Sequence, residues 1–160
     1  MANICTNQIT FIASKDAIDW LESEINKLNE LSYNERPKKL IDMFGVQGDN
    51  NIDRVGSKWI TLDSGERYRE DDNTYFLQLE SANYPPDELI KNIVKLLQDK
   101  SVDESVSAQG KYWDEGFDPI GILECNSTGY YTDETTVDVD WDNEYYWDEQ
   151  VEPAFDKLEL

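Results

Sequence analysis

The sequence predicts an α+β fold, and three observations carry that reading. A two-residue alternation runs through Ile4–Ala13. Apolar residues recur at helical spacing over 15–31 and again within "NYPPDELIKNIVKLLQDK", Asn83–Lys100. Short strand-like runs lie between these two helical stretches and follow the second.

Taken in order, Ile4–Ala13 alternates Cys5, Asn7, Ile9, Phe11 and Ala13 with Ile4, Thr6, Gln8, Thr10 and Ile12. The first set is the more apolar, so it should face the core. Ser14 is placed to cap a helix with Asp16 in its first turn. Ala17, Ile18, Trp20, Leu21, Ile25, Leu28 and Leu31 then form one stripe, which predicts an amphipathic helix over 15–31. Residues 32–53 hold Pro37, Gly45, Gly48 and an Asn/Asp cluster, and read as a loop with one turn around Leu40–Phe44. Val55–Leu62 reads as a short strand, "DSGERYREDDN" as a polar turn region, and Thr74–Leu79 as a partly buried strand.

Two prolines then open the clearest helix, Asp87 and Glu88 suit its positive end, and Lys95 and Lys100 lie toward its other end. Leu89, Ile90, Ile93, Val94, Leu96 and Leu97 make its apolar face. Strands are expected around Ser105–Trp113 and Ile120–Cys125, a turn at "NSTGYY", a final strand over Thr135–Trp141, and a helical segment over 144–158 interrupted near Pro153. The order β-α-β-β-α-β matches the split βαβ pattern of a ferredoxin-like core. The expected architecture is thus a ferredoxin-like βαββαβ core domain over 1–125. Extra C-terminal antiparallel strands and an acidic C-terminal helix over 126–160 would form an extension packed on it.

Composition narrows the function. With 39% hydrophobic and 12% aromatic residues the chain can bury a real core despite its charge of −21. That charge makes nucleic acid and anionic membranes poor partners and a basic protein surface a good one. It is also uneven: residues 1–113 carry 20 acidic and 13 basic residues, and 114–160 carry 15 acidic residues against Lys157 alone. From Asp133 to Asp156 there are ten acidic residues and no Lys or Arg. The absence of histidine excludes His-based acid–base chemistry and His metal ligands. Cys5 and Cys125 form no CxxC pair; one disulfide between them is conceivable, but the N-terminus lacks the basic and apolar regions of a signal peptide, so reduced thiols and a cytoplasmic location are expected.

Four stretches carry a family resemblance. They are "MANICTNQITF" at the start, "GSKW" at Gly56–Trp59, "SANYPPDELIKNIVKLL", and "YWDEGFDPIG" at Tyr112–Gly121. In these the chain resembles the Api92-like, ferredoxin-like-domain proteins of phages and plasmids. Asn3, Cys5 and Asn7 match the family's opening, and Pro85 and Pro86 its helix start, whereas Ile4 and Ser57 depart from it. The resemblance covers about residues 1–125 and leaves 130–160 outside. It implies a ferredoxin-like core and a mobile-element origin, but no activity and no functional residues.

The stretch with the most chemistry to explain is "TVDVDWDNEYYWDEQVEP", Thr136–Pro153. Asp138, Asp140, Asp142, Glu144 and Glu149 occupy positions 1, 3, 5, 7 and 12 of a calcium-loop spacing. Position 6, which needs glycine, holds Asn143, and position 4 holds the bulky Trp141, so no metal site is assigned. A strand with a solvated face would put Val137, Val139 and Trp141 inside and the three aspartates outside about 6.7 Å apart. An ordinary solvated face mixes signs, and this one does not. Abundant acids make any glycosidase-like pair a chance event, and Cys5, with no His base, reads as a buried structural thiol.

The acids also lie among aromatics, which supply interface area against Arg-rich surfaces. The expected partner-binding residues are Asp138, Asp140, Asp142, Glu144, Tyr145, Tyr146, Trp147, Asp148, Glu149 and Glu152, with Asp114 and Glu115. The expected function is non-enzymatic, with no cofactor. The chain is read as a phage-type inhibitor, anti-CRISPR or anti-restriction, whose DNA-like acidic surface occludes a basic host nuclease or CRISPR effector. A general protein-interaction module without mimicry is the alternative, and a calcium-binding protein the third.

Overall fold

The structure, a computed structural model, describes residues 3–63, 65–102 and 105–160. These form one antiparallel sheet with helices on one face and a C-terminal segment on the other. The strands are β1 (Ile4–Ile12), β2 (Ile60–Thr61), β3 (Arg67–Asp71), β4 (Thr74–Ala82), β5 (Ser107–Asp114), β6 (Ile120–Asn126) and β7 (Gly129–Thr135). The helices are α1 (Lys15–Asn26), α2 (Arg36–Phe44), α3 (Asn51–Val55), α4 (Asp87–Lys100) and α5 (Glu152–Asp156). The sheet order is β2-β4-β1-β5-β6-β7, and β3 also pairs with β4. Both β2 and β3 lie along the same side of β4, against Glu80–Ser81 and Thr74–Leu77, so the two strands share one sheet edge.

The alternation in β1 is realised: Cys5, Asn7, Ile9, Phe11 and Ala13 are buried. The Ser14 side chain accepts the Ala17 N–H at 3.2 Å as the cap of α1, which then tightens into a 3-10 turn over Lys27–Glu30. In α4, Leu89, Ile90, Ile93, Val94 and Leu97 are buried, while Leu96 is partly so.

Three expectations need correction. Residues 32–53 are not mainly loop, because they contain α2 and α3. Pro37 sits in the first turn of α2, where its missing N–H leaves no bond unmade, and Leu40, Ile41 and Phe44 bury one face. The Asn50 side chain accepts the Asp53 N–H at 2.9 Å to start α3, and Gly56, at φ 83°, ends it. The strand expected over 55–62 therefore shrinks to Ile60–Thr61. Within "DSGERYREDDN" lies β3, an edge strand whose two arginines have partners in the helix layer. The Arg67 guanidinium donates to Asn29 at 2.8 Å, and Arg69 pairs with Asp19 and Glu22 of α1.

The final strand is also displaced. The β6–β7 hairpin turns at Asn126–Gly129, so β7 covers 129–135 and ends where Thr135 faces Ile120. Ile120 is the first residue of β6, so beyond Thr135 there is no partner strand left to pair with. Residues 136–140 have no regular secondary structure and are tied back by the Val137 N–H to the Phe117 carbonyl at 3.0 Å.

Antiparallel register aligns the inward side chains into rows under the helices. One row runs Leu79, Asn7, Tyr112, Gly121 and Glu134. The buried Asn7 amide is satisfied by the Cys5 and Leu79 carbonyls and by the Ser81 hydroxyl, at 3.2, 3.3 and 2.9 Å. On the other face a second, smaller core of Phe117, Ile120, Val139, Val151 and Phe155 holds the C-terminal segment on β5 and β6.

Burial pushes the Cys5 thiol up to about 12 and raises that of Cys125 as well. Iodoacetamide at pH 8 should therefore leave Cys5 unmodified in the native protein and alkylate it readily in urea, read by intact mass. Removing the buried Phe155 ring should test the second core. Phe155→Ala should cost about 3–5 kcal/mol in urea unfolding and red-shift tryptophan emission, because Trp113 and Trp147 pack against that ring.

Candidate functional site

The acidic segment is mounted on aromatic packing. Phe117 enters the second core with φ 59°, an uncommon backbone state for a bulky residue. Its ring stacks on Trp141 at 5.6 Å between centroids and meets Tyr146 and Trp147 at 6.0 and 5.9 Å. Trp147 in turn lies edge-on to Trp113 at 5.0 Å. This cluster brings together a loop before β6, the end of β5 and the C-terminal segment.

The chain from Asp140 to Gln150 closes on itself through its own polar groups. The Asp140 N–H donates to the Gln150 side chain at 2.9 Å, and the Asn143 amide donates to Glu149 at 3.0 Å. Asp140 and Asn143 each accept a backbone N–H two residues on, from Asp142 at 3.1 Å and Tyr145 at 2.9 Å. A π-helical turn over Trp147–Val151 then runs into α5, with Pro153 in the first turn of α5 and not as a break.

The expected interface residues separate into groups. Asp138, Asp142, Glu144, Asp148 and Glu152 are exposed, and among the described residues none has a hydrogen-bond partner or a Lys or Arg within ion-pair distance of its carboxylate. Tyr145 is 59% exposed beside them, whereas Tyr146 and Trp147 are half-buried against the second core. Asp140 and Glu149 are exposed but spend oxygens inside the loop. Glu115 accepts the Ile4 N–H at 3.3 Å at the mouth of β1.

Asp114 does not join them. It is 3% exposed on the helix side of the sheet, where its carboxylate accepts the Gly116 N–H at 2.8 Å. The alternation expected through Trp141 also ends early. Val137 and Val139 pack inward, but Trp141 is 60% exposed with one face on Phe117, because the chain has already turned. Asp142 therefore belongs to the turn, and the three aspartates do not form one row. Among the described residues no three carboxylates or thiols converge into a group that could hold a metal ion.

Sequence reasoning passed over Phe117 and Gln150, which position the acidic segment without carrying its charge, and Trp113 and Asn143 share that role. The stretch "GFDP" was the available signal, since a large aromatic inside a turn sequence must have somewhere to go. No helix among the described residues is long and apolar enough to cross a membrane. No protein-family profile, curated protein or solved structure matches the chain.

An unbalanced surface of this kind repels itself. Adding 0.5 M NaCl should raise Tm by a few degrees, measured by circular dichroism. The combined changes Asp138→Asn, Asp142→Asn, Glu144→Gln and Asp148→Asn should raise Tm at low salt and shrink that response.

Proposed function

We propose that the protein is a non-enzymatic inhibitor that covers the nucleic-acid-binding surface of a basic protein with its acidic C-terminal segment. The observation that carries this reading is the set of exposed carboxylates Asp138, Asp142, Glu144, Asp148 and Glu152, held beside an aromatic anchor with no Lys or Arg among the described residues within ion-pair distance of them. Carboxylates fixed on a rigid base cost little further entropy when a cationic surface arrives. Tyr145 and the open edge of Trp141 add the aromatic area that suits an arginine-rich partner. The mimicry resides in charge density, not in a phosphate-like spacing, since the aspartates do not fall in one row.

The host context follows from the resemblance to phage and plasmid Api92-like proteins, which supports a defence nuclease or CRISPR effector as the target. The same resemblance supports a ferredoxin-like reading of residues 4–114. In that reading β1, α1, β3, β4, α4 and β5 are the six core elements, and the order β3-β4-β1-β5 is the one such a core requires. The strands β6 and β7 extend that sheet, and the acidic segment packs across its far face.

Affinity capture from bacterial lysate, with duplex DNA as competitor, checks the function. The wild type should retain a nucleic-acid-binding protein that duplex DNA displaces and that elutes steeply with salt. The variant Asp138→Lys, Asp142→Lys, Glu144→Lys and Asp148→Lys should lose it. Retention that is indifferent to these changes and to salt would sink the proposal.

A further inference from the structure

A concave surface lies on the opposite side of the sheet from the Phe117 cluster. It is a cleft of about 540 Å³ between the start of α4 and β7, within the size range of ligand sites. Gly56, Tyr84, Asp87, Tyr112, Tyr130 and Glu134 line it. They come from four separate parts of the sequence and are brought together by sheet register and by the docking of α4.

Two glycines allow this arrangement. A Cβ at Gly121 would lie 2.2 Å from the Tyr112 ring, so the bare backbone lets that ring lie across the sheet. The Tyr112 hydroxyl thereby reaches Glu134, donating to its carboxylate at 2.8 Å. A Cβ at Gly56 would lie 1.9 Å from an Asp87 carboxylate oxygen, so the Asp87 position also depends on a missing side chain.

The lining has one chemical character. It offers two carboxylates, and it has aromatic surface from Tyr84, which is 57% exposed, and from Tyr130. The Tyr130 hydroxyl has no hydrogen-bond partner among the described residues. Asp87 is already partnered, accepting the Glu88 N–H at 2.9 Å and pairing with Lys91, which also pairs with Glu88 at 3.2 Å. The Lys91 ammonium lies 5.7 Å from the centre of the Tyr130 ring and 3.6 Å from Asp87. Burial, with the Asp87 charge and others adding to it, raises the Tyr130 phenol, so a further anion is disfavoured there.

We propose that this cleft binds an organic cation, a guanidinium or primary alkylammonium group, between the Asp87 and Glu134 carboxylates and the tyrosine rings. Such a group is available from a free small molecule or from an arginine or lysine side chain. The proposal stands whatever the acidic C-terminal segment binds, because the two surfaces lie on opposite faces of the sheet.

Full-length ¹⁵N-labelled protein titrated at physiological salt provides the test, with ethylguanidinium, n-butylammonium, the blocked peptide acetyl-Gly-Arg-Gly-amide, and neutral N-ethylurea as control. The cations should give saturable shifts at Gly56, Tyr84, Tyr130 and Thr132, and the urea none. Glu134→Gln keeps an acceptor for Tyr112, and Tyr84→Ala removes an exposed ring, so both should fold. Each should weaken binding about tenfold. Tighter binding of the peptide would identify a side chain as the source, and tighter binding of the free cations a small molecule. Shifts that never saturate and spread over 138–156, or that ignore both substitutions, would overturn the proposal.

Discussion

Everything distinctive about this molecule depends on a few aromatic rings holding a chain segment that its own charge pushes away. Two carboxylates about 7 Å apart in water repel by on the order of 0.5 kcal/mol before salt screens them. A fully buried Val or Phe side chain contributes roughly 1.5–3 kcal/mol in the other direction. Val139, Val151 and Phe155 are buried around Phe117, so packing outweighs repulsion and the acids stay on a defined surface. Phe117 accepts a left-handed backbone to occupy the centre of that cluster, at a cost on the order of 1–2 kcal/mol that its contacts offset.

The strand β7 divides the charge between two surfaces. Its alternation sends Tyr130, Thr132 and Glu134 toward the helix layer, and Tyr131 and Asp133 toward the far face. Glu134 is held by Tyr112, and Asp133 accepts the Glu159 N–H at 3.0 Å. Neighbouring acids in one seven-residue strand thus serve different sides of the molecule. The run of ten acids from Asp133 to Asp156 is one feature of composition and more than one feature of structure.

What could be read from the sequence was whatever local periodicity controls. The faces of β1 and α4, the cap at Ser14 and the proline start of α4 were all legible, because each depends on residues within a turn or two of chain. The strand β3 was not, since Arg67 and Arg69 look like turn residues until Asn29 and Asp19 are placed beside them. The end of β7 was missed for a related reason: a strand stops when its partner stops, and Ile120 lies fifteen residues away in sequence. In the acidic segment the exposed carboxylates could be listed from sequence. The burial of Asp114 and the outward turn of Trp141 depend on Gly116 and Phe117, which no spacing rule connects to them.

The sheet ends on one side in β7, whose outer backbone groups have no strand beside them among the described residues. An open edge of this kind is a template on which proteins polymerise. Here a second molecule approaching edge to edge would bring its own Asp133 and Glu134 against the same pair. Like charges facing one another there would keep concentrated copies of the chain apart and leave the edge unpaired.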